Sequence, residues 1–165
     1  MKFSSFNGLA NHLRTHAVKS YKARVNQELT EIGEAIADDA RKSVGIYQQP
    51  VGQYPGWAPL KPSTLLTKIS KGHGKGGDPN TPLYATGKFQ RDISYRVNKS
   101  KQTVTIGTKK DYIIYTELGT SKMPPRPVFG PAAARTLPKR LKSVEKAAYN
   151  GLAGYSGTTF PGRRP

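Results

Sequence analysis

The sequence predicts an α+β fold: a long N-terminal helix packed on a small antiparallel β-sheet of three to four strands, an irregular Pro/Gly-rich insertion, and a C-terminal helix. Three observations carry this prediction. Apolar residues recur at helical spacing over Val18–Val44, alternate with polar residues between Ile93 and Ile106, and return to helical spacing after Pro131.

The first helix is read from Val18, Tyr21, Val25, Leu29, Ile32, Ile36, Ala40 and Val44, which fall three or four residues apart and form one stripe. Lys22, Glu28, Glu31, Glu34, Asp38 and Lys42 lie between them, and Gly45 is placed to end the helix. Leu9, Leu13 and Ala17 either begin the same helix or form a short separate one. His12 and His16 stand one turn apart, but no Glu follows His12 and no third ligand is near. They read as a surface pair and not as a metal site.

Residues 46–82 read as an irregular insertion, broken by Pro50, Pro55-Gly56, Pro59 and the glycines between Gly72 and Gly77. Within it, Ser63–Ile69 is expected as a short helix with Ser63 as N-cap. Gly72 and Gly77 have the spacing of a phosphate-binding loop. Asp78-Pro79 nevertheless stands where that loop needs Lys and Ser/Thr, so a basic loop is the better reading.

Leu83–Phe89 reads as a turn and a short helical segment. Ile93, Tyr95 and Val97 then alternate with Ser94 and Arg96, and Thr103–Gly107 alternates again after the polar turn Asn98–Lys101. Tyr112–Leu118 is expected as a third, more apolar strand of an antiparallel meander covered by the long helix. The prolines of Met123-Pro124-Pro125-Arg126-Pro127 exclude a helix interior or a central strand and predict an extended arm. Pro131 suits the first turn of a second helix, continued by Ala133, Leu137, Leu141, Val144 and Ala148. Pro138 is expected to kink or split it. One domain over 1–150 with a flexible tail over 151–165 is the resulting organisation.

Composition bounds the function. Only 35% of the 165 residues are apolar, and there are 17 Gly and 13 Pro, so the compact core is expected to be small and completed by neighbouring subunits. The absence of cysteine excludes disulfides, thiolate metal sites and a cysteine nucleophile. No secretory leader or membrane-spanning run is visible, which predicts a soluble chain made in the cytosol. With only 10 Asp and Glu and three histidines, no catalytic, cofactor or metal constellation is legible, and the chain does not read as an enzyme. The formal net charge is +17, of which residues 1–50 hold +2 and residues 51–165 the remaining +15. Such a field favours DNA or an acidic protein surface. Arg135, Lys139, Arg140, Lys142 and Lys146 on the second helix are the candidate contacts.

The segment Tyr112-Ile113-Ile114-Tyr115-Thr116-Glu117-Leu118-Gly119-Thr120-Ser121-Lys122-Met123-Pro124-Pro125-Arg126-Pro127-Val128-Phe129-Gly130-Pro131-Ala132 resembles the hallmark of bacteriophage tail-completion and head–tail joining (neck) proteins. There a Y-x-x-x-x-E-x-G-T element precedes a Met/Pro-rich turn and an alanine-led helix. Trp57–Thr64 and Pro82–Phe89 are similar to the W-x-x-L-x-x-x-T and P-L-x-x-T-G elements of the Mu-type virion-morphogenesis branch. Phe129 lies one residue further from Pro127 than in the commonest form of the motif. The resemblance, over 18–149, implies a structural virion protein and not an enzyme. It would form a homo-hexameric ring at the neck or top of the tail, bind neighbouring neck and tail proteins, assemble in the host bacterial cytoplasm, give passage to DNA and need no cofactor.

The residues of that segment also have a physical reading. Glu117 before Gly119 either caps the backbone donors of the following loop or pairs with a basic group on the next subunit. Gly119 is expected at positive φ. Met123 and Phe129, beside Pro124, Pro125 and Pro127, need burial: either the arm lies on a neighbouring subunit, or it folds back on its own domain. Together with Thr120 these residues form the expected interface. The competing reading is a basic module that contacts the DNA backbone without sequence specificity.

Overall fold

Ser5 opens the first helix, its side-chain oxygen accepting the Gly8 amide at 3.1 Å and serving one of the donors a helix start leaves free. The computed structural model describes residues 4–153. Helix α1 (Phe6–His12) passes through a π-helical stretch, Leu13–Ala17, into α2 (Val18–Ser43), with helical backbone at each junction. The residues before Val18 therefore belong to the long helix, which runs roughly 57 Å. Val44 is extended and Gly45, at φ +89°, turns the chain away.

The α2 stripe behaves as its spacing requires. Ile32, Ile36, Ala37, Ala40 and Val44 are buried and meet Trp57, Phe89, Ile93, Val128 and Ala132 in one core. Burial of this set removes apolar surface from water at about 25 cal/mol per Å². Strands β1 (Ser94–Asn98) and β2 (Thr103–Gly107) form an antiparallel hairpin, with Tyr95 opposite Ile106 and Val97 opposite Val104. Tyr95, Val104 and Ile106 pack on the core. The Asn98 carboxamide oxygen accepts the Ser100 and Lys101 amides and closes the turn. Two side chains tie α2 to the hairpin: Asn26 donates to the Lys99 carbonyl, and Arg41 to that of Ile93.

The sheet ends there. Among the described residues it has two strands, not three or four. The expected third strand is instead a short helix, α5 (Ile113–Leu118). A run of Ile, Ile and Tyr favours a strand by propensity, but tertiary contacts override so weak a preference. In the helix Ile113, Thr116 and Glu117 share the inner face, one turn apart, and Thr116 is buried.

The insertion 46–82 is irregular except for α3 (Pro62–Ser70). Pro62 opens α3 in the first helical turn, so Lys61, not Ser63, is the cap residue, and it makes no side-chain cap bond. Helix α4 (Lys88–Asp92) follows the turn at Gly87. The last helix, α6 (Phe129–Ala153), starts two residues before Pro131 and is not split at Pro138. Pro138 is exposed and Ala134, whose carbonyl loses its helical donor, is only partly buried, so water reaches the gap. The helix also runs through Gly151 into the predicted tail, of which 154–165 lies outside the described residues. A Cβ at Gly151 would sit 2.5 Å from the Tyr21 Cα, so glycine permits backbone-to-backbone approach of α6 and α2. Arg135 to Asp39 at 2.6 Å and Arg140 to Glu31 at 3.3 Å join the same two helices.

Candidate assembly site

Residues 112–131 comprise α5, the connection 119–128 and the first residues of α6, held by a few specific bonds. Within α5, the Glu117 carboxylate accepts the amides of Val128 at 2.7 Å and Phe129 at 3.2 Å. These are the first amides of α6, which have no helical acceptor, and the positive end of the helix dipole favours an anion there. Of the two readings of Glu117, the geometry is that of the cap. Burial raises its pKa above the ordinary carboxylate value, and the two backbone bonds oppose that rise.

Gly119 stands at φ +75°, the left-handed region expected of it, and a Cβ there would meet Pro125 N at 2.8 Å and Met123 O at 2.9 Å. Thr120 and Met123 then pair through both backbone bonds, and the Thr120 hydroxyl accepts the Met123 amide at 3.2 Å. The arm that follows returns to its own domain. Arg126 N donates to the Thr116 carbonyl at 2.6 Å, and the buried Trp57 indole donates to the Pro127 carbonyl at 3.0 Å. Val128 is fully buried, Phe129 packs on the core, and Met123 and Pro124 are half-buried. Within one chain, then, the arm folds back, and Phe129 does not wait for a neighbour.

What the segment leaves exposed is α5. Ile114, Tyr115 and Leu118 point outward, Leu118 with 77% of its surface accessible. On α6, Leu141 and Leu152 are exposed as well. Single apolar side chains on a surface are ordinary; Ile114, Tyr115 and Leu118 stand together on one short helix.

Beneath α5 lies a cavity of about 430 Å³, lined by Leu60, Leu83, Phe89, Tyr112 and Met123 on its apolar side and by Lys61, Lys68, Lys122 and Arg126 on its cationic side. No carboxylate lines it. Arg126 is only 5% exposed; its Nη2 donates to the Ala58 and Pro59 carbonyls, while Nε has no acceptor. Burial lowers the pKa of Arg126 and of Lys68. Sequence reasoning missed this pocket. Its lining residues are scattered between Leu60 and Arg126 and carry no common spacing in the sequence.

The cations proposed for a polyanion are divided. Arg135 is bound to Asp39 and Ser43, and Arg140 to Glu31, so both face α2. Lys139 and Lys142 are exposed and Lys146 is half-buried. His12 and His16 stack with ring centroids 5.3 Å apart. Among the described residues no group of three or more His, Cys, Asp or Glu is disposed to hold a metal, and no helix is long and apolar enough to cross a membrane. Comparison with known proteins yields no match among family models, curated proteins or solved structures.

Proposed function

We propose that the protein is a structural virion subunit that forms a ring, of six copies by the resemblance, at the head–tail junction or top of the tail of a bacteriophage, joining or completing the tail. The observation that carries this reading is the 112–131 segment. The residues that resemble the neck-protein hallmark form a locked segment that presents an exposed apolar helix, α5, beside a pocket. Glu117, Gly119, Thr120 and the prolines set the shape of that surface; Ile114, Tyr115, Leu118 and Met123 supply its contact area. Stiffening by Pro124, Pro125 and Pro127 lowers the entropy lost on docking. A small apolar core and exposed apolar helices fit a subunit completed by its neighbours.

The reading of a basic DNA-backbone binder is favoured by one observation, the +15 balance of residues 51–165. It is weakened by the engagement of Arg135 and Arg140 with α2 acids. The two separate in solution. Mass measurement and negative-stain imaging of the full chain are expected to give discrete rings with little affinity for duplex DNA. A monomer that binds DNA with a steep salt dependence would overturn the ring reading.

A further inference from the structure

Helix α6 buries one face against the body of the protein and exposes apolar side chains on another. Ala132, Ala147 and Gly151 lie against the body of the protein. Leu137, Leu141, Glu145, Tyr149 and Leu152 fall on the opposite side, within an arc of about 120° at 100° per residue. All five are exposed. Glu145 is the one acidic residue of α6 and has Leu141 one turn before it and Tyr149 one turn after it. A carboxylate set in an apolar stripe calls for an apolar surface that contains a cation.

The pocket beneath α5 is such a surface. Its walls combine Leu60, Phe89, Tyr112 and Met123 with Arg126, Lys61 and Lys122, and no carboxylate is among its described lining residues. The ion pairs of Arg41 with Asp38, Arg135 with Asp39 and Arg140 with Glu31 all lie away from the pocket. Arg126 is 5% exposed and its Nε is enclosed, so the cation within reach of a docked carboxylate is the exposed Lys122.

We infer that the α6 stripe of one copy docks on the cation-lined pocket of the next, its Glu145 carboxylate meeting Lys122. Stripe and pocket share no residue, so the contact is head-to-tail and closes into a ring where the rotation permits. This rests on the ring reading above and names the two surfaces that would build it. A second copy is favoured over another protein because both halves of the match, charge and apolar, stand in this one chain.

The test is a charge exchange between exposed residues, followed by light scattering of the full chain over about 1–100 µM, a span bracketing micromolar association. Glu145→Lys is expected to raise the dissociation constant roughly 30-fold or more, as is Lys122→Glu, while the chain carrying both assembles again. Thermal unfolding of each variant controls for folding. Assembly by Glu145→Lys equal to that of the parent chain overturns the inference and leaves the ring reading standing. If in that case an acetylated Leu-Glu-Phe amide still shifts the Met123 methyl resonance, the pocket serves a different protein and the inference fails equally. Loss of assembly without recovery in the double variant overturns the pairing of these surfaces. A parent chain that stays monomeric throughout overturns both the inference and the ring.

Discussion

The α2–α6 pair and the 112–131 segment are held by different physics. The helix pair is joined along its length by buried Ile, Val and Ala, by backbone contact at Gly151 and by ion pairs of Arg135 and Arg140. The segment has little core of its own, and its shape depends on Glu117, Trp57, Arg126 and a glycine at positive φ. A region stabilised by area loses stability in proportion to volume removed. A region stabilised by a few polar anchors changes shape when one anchor goes, at smaller total cost. The helix pair folds the subunit and offers the outer face of α6 to the proposed contact, and the segment shapes the surface that this face would meet.

The largest expected effect is on the first region. Ile36→Ala removes a side chain from the centre of the α2 stripe, where the residue is 3% exposed, and should cost about 2–5 kcal/mol in chemical denaturation. A cost below about 1 kcal/mol would show that the stripe is not the core. Trp57→Phe keeps most of the apolar volume and deletes the indole donor to the Pro127 carbonyl. It should cost about 1–3 kcal/mol, with altered amide shifts concentrated in the arm and not in α2.

Glu117→Ala leaves the Val128 and Phe129 amides without an acceptor and should cost about 1–2 kcal/mol. Glu117→Gln keeps an oxygen acceptor and should cost less. The pH dependence distinguishes cap from charge. Because burial raises the folded-state pKa above the ordinary value of 4.5, the folded protein binds this proton more tightly than the unfolded chain. Its contribution to stability is fully present below the unfolded value and is lost as pH rises through the folded value. The stability difference between the parent chain and Glu117→Gln should therefore move against the parent as pH rises through that window. A difference independent of pH would show that the carboxylate is not desolvated. The smallest effect belongs to Arg135→Met. Both partners of that ion pair are about one-third exposed, so the loss should be about 0.5–1 kcal/mol and should shrink in high salt.

The same contrast explains what was legible in the sequence. The α2 stripe and the hairpin were readable because burial at fixed period leaves a trace in residue spacing. The positive φ of Gly119 was readable because a glycine at a turn has few alternative uses, whereas for Glu117 the sequence left cap and inter-subunit pair equal and the fold supplies the cap. Tyr112–Leu118 differs from its expected strand because seven residues, mostly Ile, Tyr and Thr, carry too little periodicity to separate strand from helix. Their exposed side is apolar, which removes the usual cue of a polar outer face. Pro138 suggested a break, but a proline on the exposed side of a helix packed along its other face leaves the helix continuous. The pocket was invisible because Lys61, Phe89, Tyr112 and Arg126 are brought together only by the fold.

The central claim, a structural role at the head–tail junction, is tested most directly by electron microscopy of virions assembled without this protein. The account predicts separated heads and tails, or completed tails that do not join. Intact, infectious particles of normal appearance would contradict it.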